Sequence, residues 1–221
     1  MGLKISLTSR IAKSELQNTV SKLLDESILK PRFFLLLFLS AAIATLGLLE
    51  ENVSITIGAM VIAPLLTPLL CFSLGGLSFK PRMITFGLSA LIFGSVLSIL
   101  LSAGLLQILG RTEIPASVID LYTFHNFDFI LVAFFSGMAG AFSSLKEETK
   151  DELIGVAIAA ALIPPLAFAG MALGIGDLAL FKNTLILYGI NLLATSLGAM
   201  VVYAIFILTH KVDADKIKEK A

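Results

Sequence analysis

Apolar residues run along this chain in long blocks, without the one-in-two or one-in-three-or-four alternation of a soluble core. Six blocks, at 33–49, 54–78, 83–109, 129–145, 152–175 and 181–209, reach or approach membrane-spanning length. A hydrocarbon core of about 30 Å takes roughly 20 helical residues at about 1.5 Å each. The pattern predicts six transmembrane helices. The first and fourth are the shortest, and each runs into a glutamate pair, Glu50-Glu51 and Glu147-Glu148. Ahead of the first block, Leu16, Val20, Leu23, Leu24 and Ile28 fall at helical spacing among charged residues. This predicts an amphipathic helix over residues 1–30, lying on the cytoplasmic lipid surface or docking a partner.

Two blocks are interrupted from within. "GAMVIAPLLTPLL" carries Pro64 and Pro68, and "ALIPPLA" carries Pro164 and Pro165, all well inside their blocks. Proline has no N–H and clashes with the carbonyl four residues back. A continued helix would therefore release the carbonyls of Met60 and Pro64, and of Ala160 and Ala161. Backbone groups released in hydrocarbon cost several kcal/mol unless protein, water or an ion satisfies them. The breaks are thus candidate sites built from backbone, with Thr67 beside the first; kinks satisfied by Thr67 or by neighbouring helices are the alternative.

Positions 97 apart match. Phe38, Ala42, Ala44, Leu48, Glu50, Glu51, Ile57, Gly58, Ala63, Leu65, Pro68 and Leu69 meet identical residues at 135 through 166, twelve identities in 32 ungapped positions, with Gly155 opposite Gly58 and Pro165 opposite Pro68. Paired acids, a glycine and a proline in one register indicate a duplication. Each repeat holds three spans, an odd number, so the second is expected to enter the membrane from the opposite side. The fold class read from the sequence is all-α: two inverted three-helix repeats at 31–110 and 128–210, with broken second and fifth spans. An external connection at 111–127 and a basic tail at 211–221 complete it.

Charge sets the orientation. Net charge is zero, with 16 Lys+Arg against 16 Asp+Glu, but 14 of the basic residues fall on one side of the six expected spans and only Arg111 and Lys182 on the other. The positive-inside rule then predicts cytoplasmic termini in a prokaryotic inner membrane. Zero net charge argues against nucleic acid as a partner. One cysteine, Cys71, excludes an intramolecular disulfide or a cysteine-built metal centre. His125 and His210 stand alone at membrane boundaries, so no cofactor, metal or enzymatic nucleophile–base pair is expected.

The remaining polar positions have two readings each. Glu50, Glu51, Asn52, Glu147 and Glu148 either stabilise and cap the helix starts that follow the acid pairs, or line vestibules that gather cations or protons. Asn191, mid-way along the sixth block, either bonds a neighbouring helix or touches the solute. Ala90, Gly94, Ser98 and Ser102, like Ala133, Gly137 and Ala141, form close-packing faces within one chain or between copies of a homo-oligomer.

"IGAMVIAPLLTPLL" and "KEETKDELIGVAIAAALIPPLA" resemble the membrane domain of the bacterial and archaeal family called domain of unknown function 389, over about residues 31–209. The resemblance marks Gly58, Ala59, Pro64, Pro68, Gly155, Pro164 and Pro165 as important, and implies a soluble domain ahead of the membrane part in many relatives. The function expected is a secondary carrier of a small solute or ion in the lipid bilayer, alternating around helix breaks near the midplane. An oligomeric channel and a scaffold or sensor are the alternatives.

Overall fold

The computed structural model describes residues 2–123, 127–145 and 162–210, and all of its regular structure there is helical. The helices are α1 (Gly2–Ser27), α2 (Pro31–Leu49), α3 (Val53–Ile62), α4 (Leu66–Leu77), α5 (Pro81–Ile108), α6 (Ala116–Thr123), α7 (Phe127–Leu145), α8 (Ile163–Gly174) and α9 (Leu178–His210). Among them α2, α5, α7 and α9 are each long and apolar enough to cross a membrane. The pair α3 and α4, bent by 56°, passes together as a fifth. Leu88, Ile92, Val96 and Leu100 line one exposed flank of α5, as Ile186, Leu193, Leu197 and Leu208 do on α9. Water would not tolerate apolar flanks of this extent; lipid does. The chain is a membrane protein. Of the expected fifth span only its latter part, α8, is described; residues 146–161 and the tail lie outside the described residues.

Local sequence explains the boundaries. Pro31 and Pro81 open α2 and α5, where a missing N–H costs nothing. Four helices end in one motif, with the residue before the last donor in the left-handed region. Asn52 N–H reaches the Gly47 carbonyl past Glu51 (φ 51°), and Lys80 N–H reaches Gly75 past Phe79 (φ 50°). Arg111 N–H reaches Leu106 past Gly110 (φ 63°), and Asp177 N–H reaches Ala172 past Gly176 (φ 82°). These bonds satisfy carbonyls that a helix end leaves unpaired. The 97-residue spacing holds here too: α4 and α8 share both bounds, α5 and α9 share their starts, and the turns at Phe79 and Gly176 correspond.

Close contacts fix helix directions. On α7 and α9, Gly137 meets the Thr195 carbonyl, Gly198 meets Phe134 and Met138, and the Ser144 and Tyr203 hydroxyls bond at 2.8 Å, so the two helices run side by side in the same direction. On α2 and α5, Thr45 donates to Ser102 at 2.8 Å and Leu37 approaches Gly94, again a parallel pair. Gly170 and Gly174 of α8 lie along Ile99 to Leu106 of α5, also in parallel. The faces expected to pack either within or between chains are thus used within one chain. Ten successive residues of α8, Ile163–Ala172, are buried, making it the central helix of the bundle.

One expectation is corrected. In this structure protein, not lipid, covers the apolar face of α1: Leu16, Val20, Leu23 and Leu24 are all buried, and α1 packs against α4, α5 and α7. The sequence marks such a face but not its cover.

Candidate functional site

The first break is a single corner. α3 ends at Ile62, Ala63 takes an extended backbone (φ −63°, ψ 125°), and α4 starts at Leu66. A residue before proline is pushed into that region. The expected release of the Met60 carbonyl does not occur, because Ala63 N–H turns back to it at 3.3 Å. Nor does Pro68 break anything. With α4 starting afresh after Pro64, Pro68 falls in its first turn, where helical N–H groups have no intrahelical partner. The expected release of the Pro64 carbonyl presumed a helix that continued from Pro64 to Pro68.

Beside the corner lies a hollow of about 360 Å³. Met60 to Pro64, Leu66, Thr67 and Leu70 form its bent wall, Arg32 and Leu36 of α2 another, and Gly140, Ser143 and Ser144 of α7 a third. α1 closes the remaining side with Thr19, Lys22, Leu23 and Glu26. Thr67 donates its hydroxyl to Glu26 Oε2 at 3.2 Å, and Thr19 donates to the Ser144 carbonyl at 3.1 Å. The hollow is therefore polar on the α1 side and apolar along α3, with Lys22 and Arg32 outnumbering Glu26. These charges were missed at the sequence level, where Lys22 and Arg32 count only toward orientation. No sequence signal connects them to Pro64, since tertiary packing alone brings them there.

The other expected site residues fall elsewhere. Pro164 and Pro165 sit buried in the first turn of α8, and they do not line the hollow. The Pro64 corner and the start of α8 nevertheless stand at one height. Leu65 packs on Gly94, near the middle of α5, where a Cβ would come within 2.6 Å of the leucine. Leu162 precedes the Gly176 turn by as many residues as Leu65 precedes Phe79, which sets it opposite Ile190 and Asn191. The Ser95–Tyr188 hydroxyl bond, 2.7 Å, joins those levels of α5 and α9. Asn191 is buried there with its Oδ1 unpartnered among the described residues. It does not line the hollow.

Gly58 faces open space on an exposed flank of α3, not the break. Gly58→Ala is expected to leave folding intact and to change stability by no more than about 1 kcal/mol, in the favourable direction set by helix propensity. A thermal unfolding comparison in detergent checks this.

Glu50 and Glu51 form the turn after α2. Glu50 lies 3.6 Å from Arg111, and Glu51 accepts from the Ser117 hydroxyl, while Asn52 caps α3 by accepting from Ile55 N–H at 3.2 Å. Both partners of the ion pair are more than half exposed, so the pair contributes little. This favours the turn-and-cap reading for the first acid pair. Glu147, Glu148 and Gly155 lie outside the described residues. Among the described residues no cluster of His, Cys, Asp and Glu could hold a metal ion. Beyond these turns, α6 tucks Ile114 and Val118 inward and stacks Tyr122 on Phe168 at 4.7 Å; burial raises the Tyr122 phenol above its ordinary value.

A family model described as "Domain of unknown function (DUF389)" matches residues 60–197, which include the corner at Pro64, the start of α8 and Asn191. An uncharacterized protein of Methanocaldococcus jannaschii is 31% identical over 202 residues, covering 89% of this chain and 60% of the relative. The chain thus spans about 60% of the length of that relative. No solved structure matches.

Proposed function

We propose, for a chain that belongs to the family described as Domain of unknown function (DUF389), that it is a secondary carrier moving a small solute or ion past the Pro64 corner by alternating access. The observation that carries this reading is the bent α3–α4 span with a hollow beside its corner, polar on the α1 side. Irregular backbone inside a bilayer is tolerated where it is packed in protein or lines a cavity, and in carriers it marks the binding level.

The helix directions support an inverted repeat. α2 and α5 run together and so do α7 and α9; α8 runs with α5, and the Gly176 turn then sends α9 back against it. On this reading the halves at 31–110 and 128–210 oppose each other. Lysine and arginine distribution favours cytoplasmic termini in a prokaryotic inner membrane. A carrier is favoured over a pore between copies because Gly94, Gly137 and Gly198 are used inside one chain.

Uptake of radiolabelled sodium, rubidium, phosphate and chloride into vesicles holding the purified protein tests the reading. Pro64→Ala should slow the protein-dependent flux about tenfold, a barrier change of about 1.4 kcal/mol, well within the ~3 kcal/mol by which proline resists a helix interior. Flux unchanged in Pro64→Ala would sink the proposal.

A further inference from the structure

We infer that α1 is a lid with two resting places, the hollow beside Pro64 and the surface of an anionic bilayer. Its face is built for both. Leu16, Val20, Leu23 and Leu24 are buried against α4, α5 and α7, yet the same residues form the apolar side of an amphipathic helix of the kind that beds into a lipid headgroup layer. Residues 1–30, ahead of α2, carry five basic side chains, Lys4, Arg10, Lys13, Lys22 and Lys30, against Glu15, Asp25 and Glu26. A net basic amphipathic segment next to a span is drawn to anionic lipid.

The polar groups of α1 allow the release. Thr19, buried against α7, also donates to the Glu15 carbonyl of its own helix at 2.9 Å, and buried Ser27 donates to Leu23 at 2.6 Å. Neither hydroxyl is stranded when α1 leaves. Release breaks the Thr67–Glu26 and Thr19–Ser144 hydrogen bonds, whose remaining partners face the hollow and gain water there, and exchanges the protein contacts of Leu16, Val20, Leu23 and Leu24 for lipid. Residues 28–30, the non-helical link to α2, supply the hinge, with Lys30 extended (φ −81°, ψ 158°). Departure of α1 removes one wall of the hollow. This inference rests on the carrier reading only in calling that hollow a solute path.

The test needs no solute. In a Cys71→Ala background, Leu66→Cys puts a thiol in the wall of the hollow, and its labelling by a membrane-impermeant maleimide is followed in vesicles. Phosphatidylcholine vesicles are compared with vesicles containing one third phosphatidylglycerol. Anionic lipid should speed labelling about tenfold, as expected when a minor open state becomes a major one, and high salt should reverse the gain. Adding Thr19→Cys with Ser144→Cys and oxidising them should hold labelling slow in both lipids until a reductant is added. Labelling indifferent to lipid charge overturns the lipid-held open state, and labelling indifferent to the cross-link overturns the lid. Absence of any solute flux bears on the carrier reading alone.

Discussion

Gly137→Val is expected to abolish the folded protein, and Gly198→Val to do the same. A Cβ at Gly137 would overlap the Thr195 carbonyl oxygen, and one at Gly198 the Phe134 carbonyl oxygen. These are backbone atoms, so no rotamer change relieves the clash; α7 and α9 must separate along their whole parallel contact. Ordinary overpacking costs about 1–3 kcal/mol, and Gly137→Ala should fall at the top of that range. Valine adds two methyl groups on the same line, for a loss of more than about 4 kcal/mol, beyond what most substitutions reach. Separation would also break the Ser144–Tyr203 bond, the tie between the far end of α7 and a tyrosine that is fully buried. The measurement is the yield of monodisperse protein in mild detergent, with Gly104→Ala, whose glycine faces open space, as the tolerated control. Wild-type yield from Gly137→Val would mean that α7 and α9 do not pack as described.

The long helices were legible because their signals are local. Block length gave the four long helices α2, α5, α7 and α9, Pro31 and Pro81 gave the starts of two of them, and the 97-residue register extended past the matched residues to the turns at Phe79 and Gly176. The Pro64 corner was legible for the same reason: proline and the residue before it act on their own backbone. Pro68 misled because its effect depends on what precedes it. After a corner it starts a helix, and within a helix it would break one.

The surroundings of the corner were not legible. Amphipathic spacing in α1 reveals an apolar face, but whether lipid or protein covers that face depends on the space beneath the start of α2. Lys22, Glu26 and Arg32 reach the hollow from two elements, and no spacing in the chain records that meeting. Gly58 looked important by its repeat partner and its resemblance, whereas its surroundings are empty. Glycine is read best from what a Cβ would strike, and by that measure Gly137 and Gly198 outrank it. Asn191 was visible as an amide in an apolar block, and its buried Oδ1, unpartnered among the described residues, keeps it a candidate for a ligand-facing role.

Alternating access requires that the Pro64 corner be reached from both sides of the membrane. Leu65 lies against the middle of α5, so the path from either face to the corner is of similar length. A carrier exposes such a level to one face and then the other through two populated states, and each state lets a reagent in from one side. The probe is Ala63→Cys in a Cys71→Ala background, with the protein inserted in one orientation into sealed vesicles and a membrane-impermeant maleimide confined first outside, then inside. Labelling from each side alone, with the two rates shifting in opposite directions when the Thr19→Cys and Ser144→Cys cross-link is closed, is the predicted result. Labelling from one side only, whatever the state of the cross-link, would contradict alternating access at this corner.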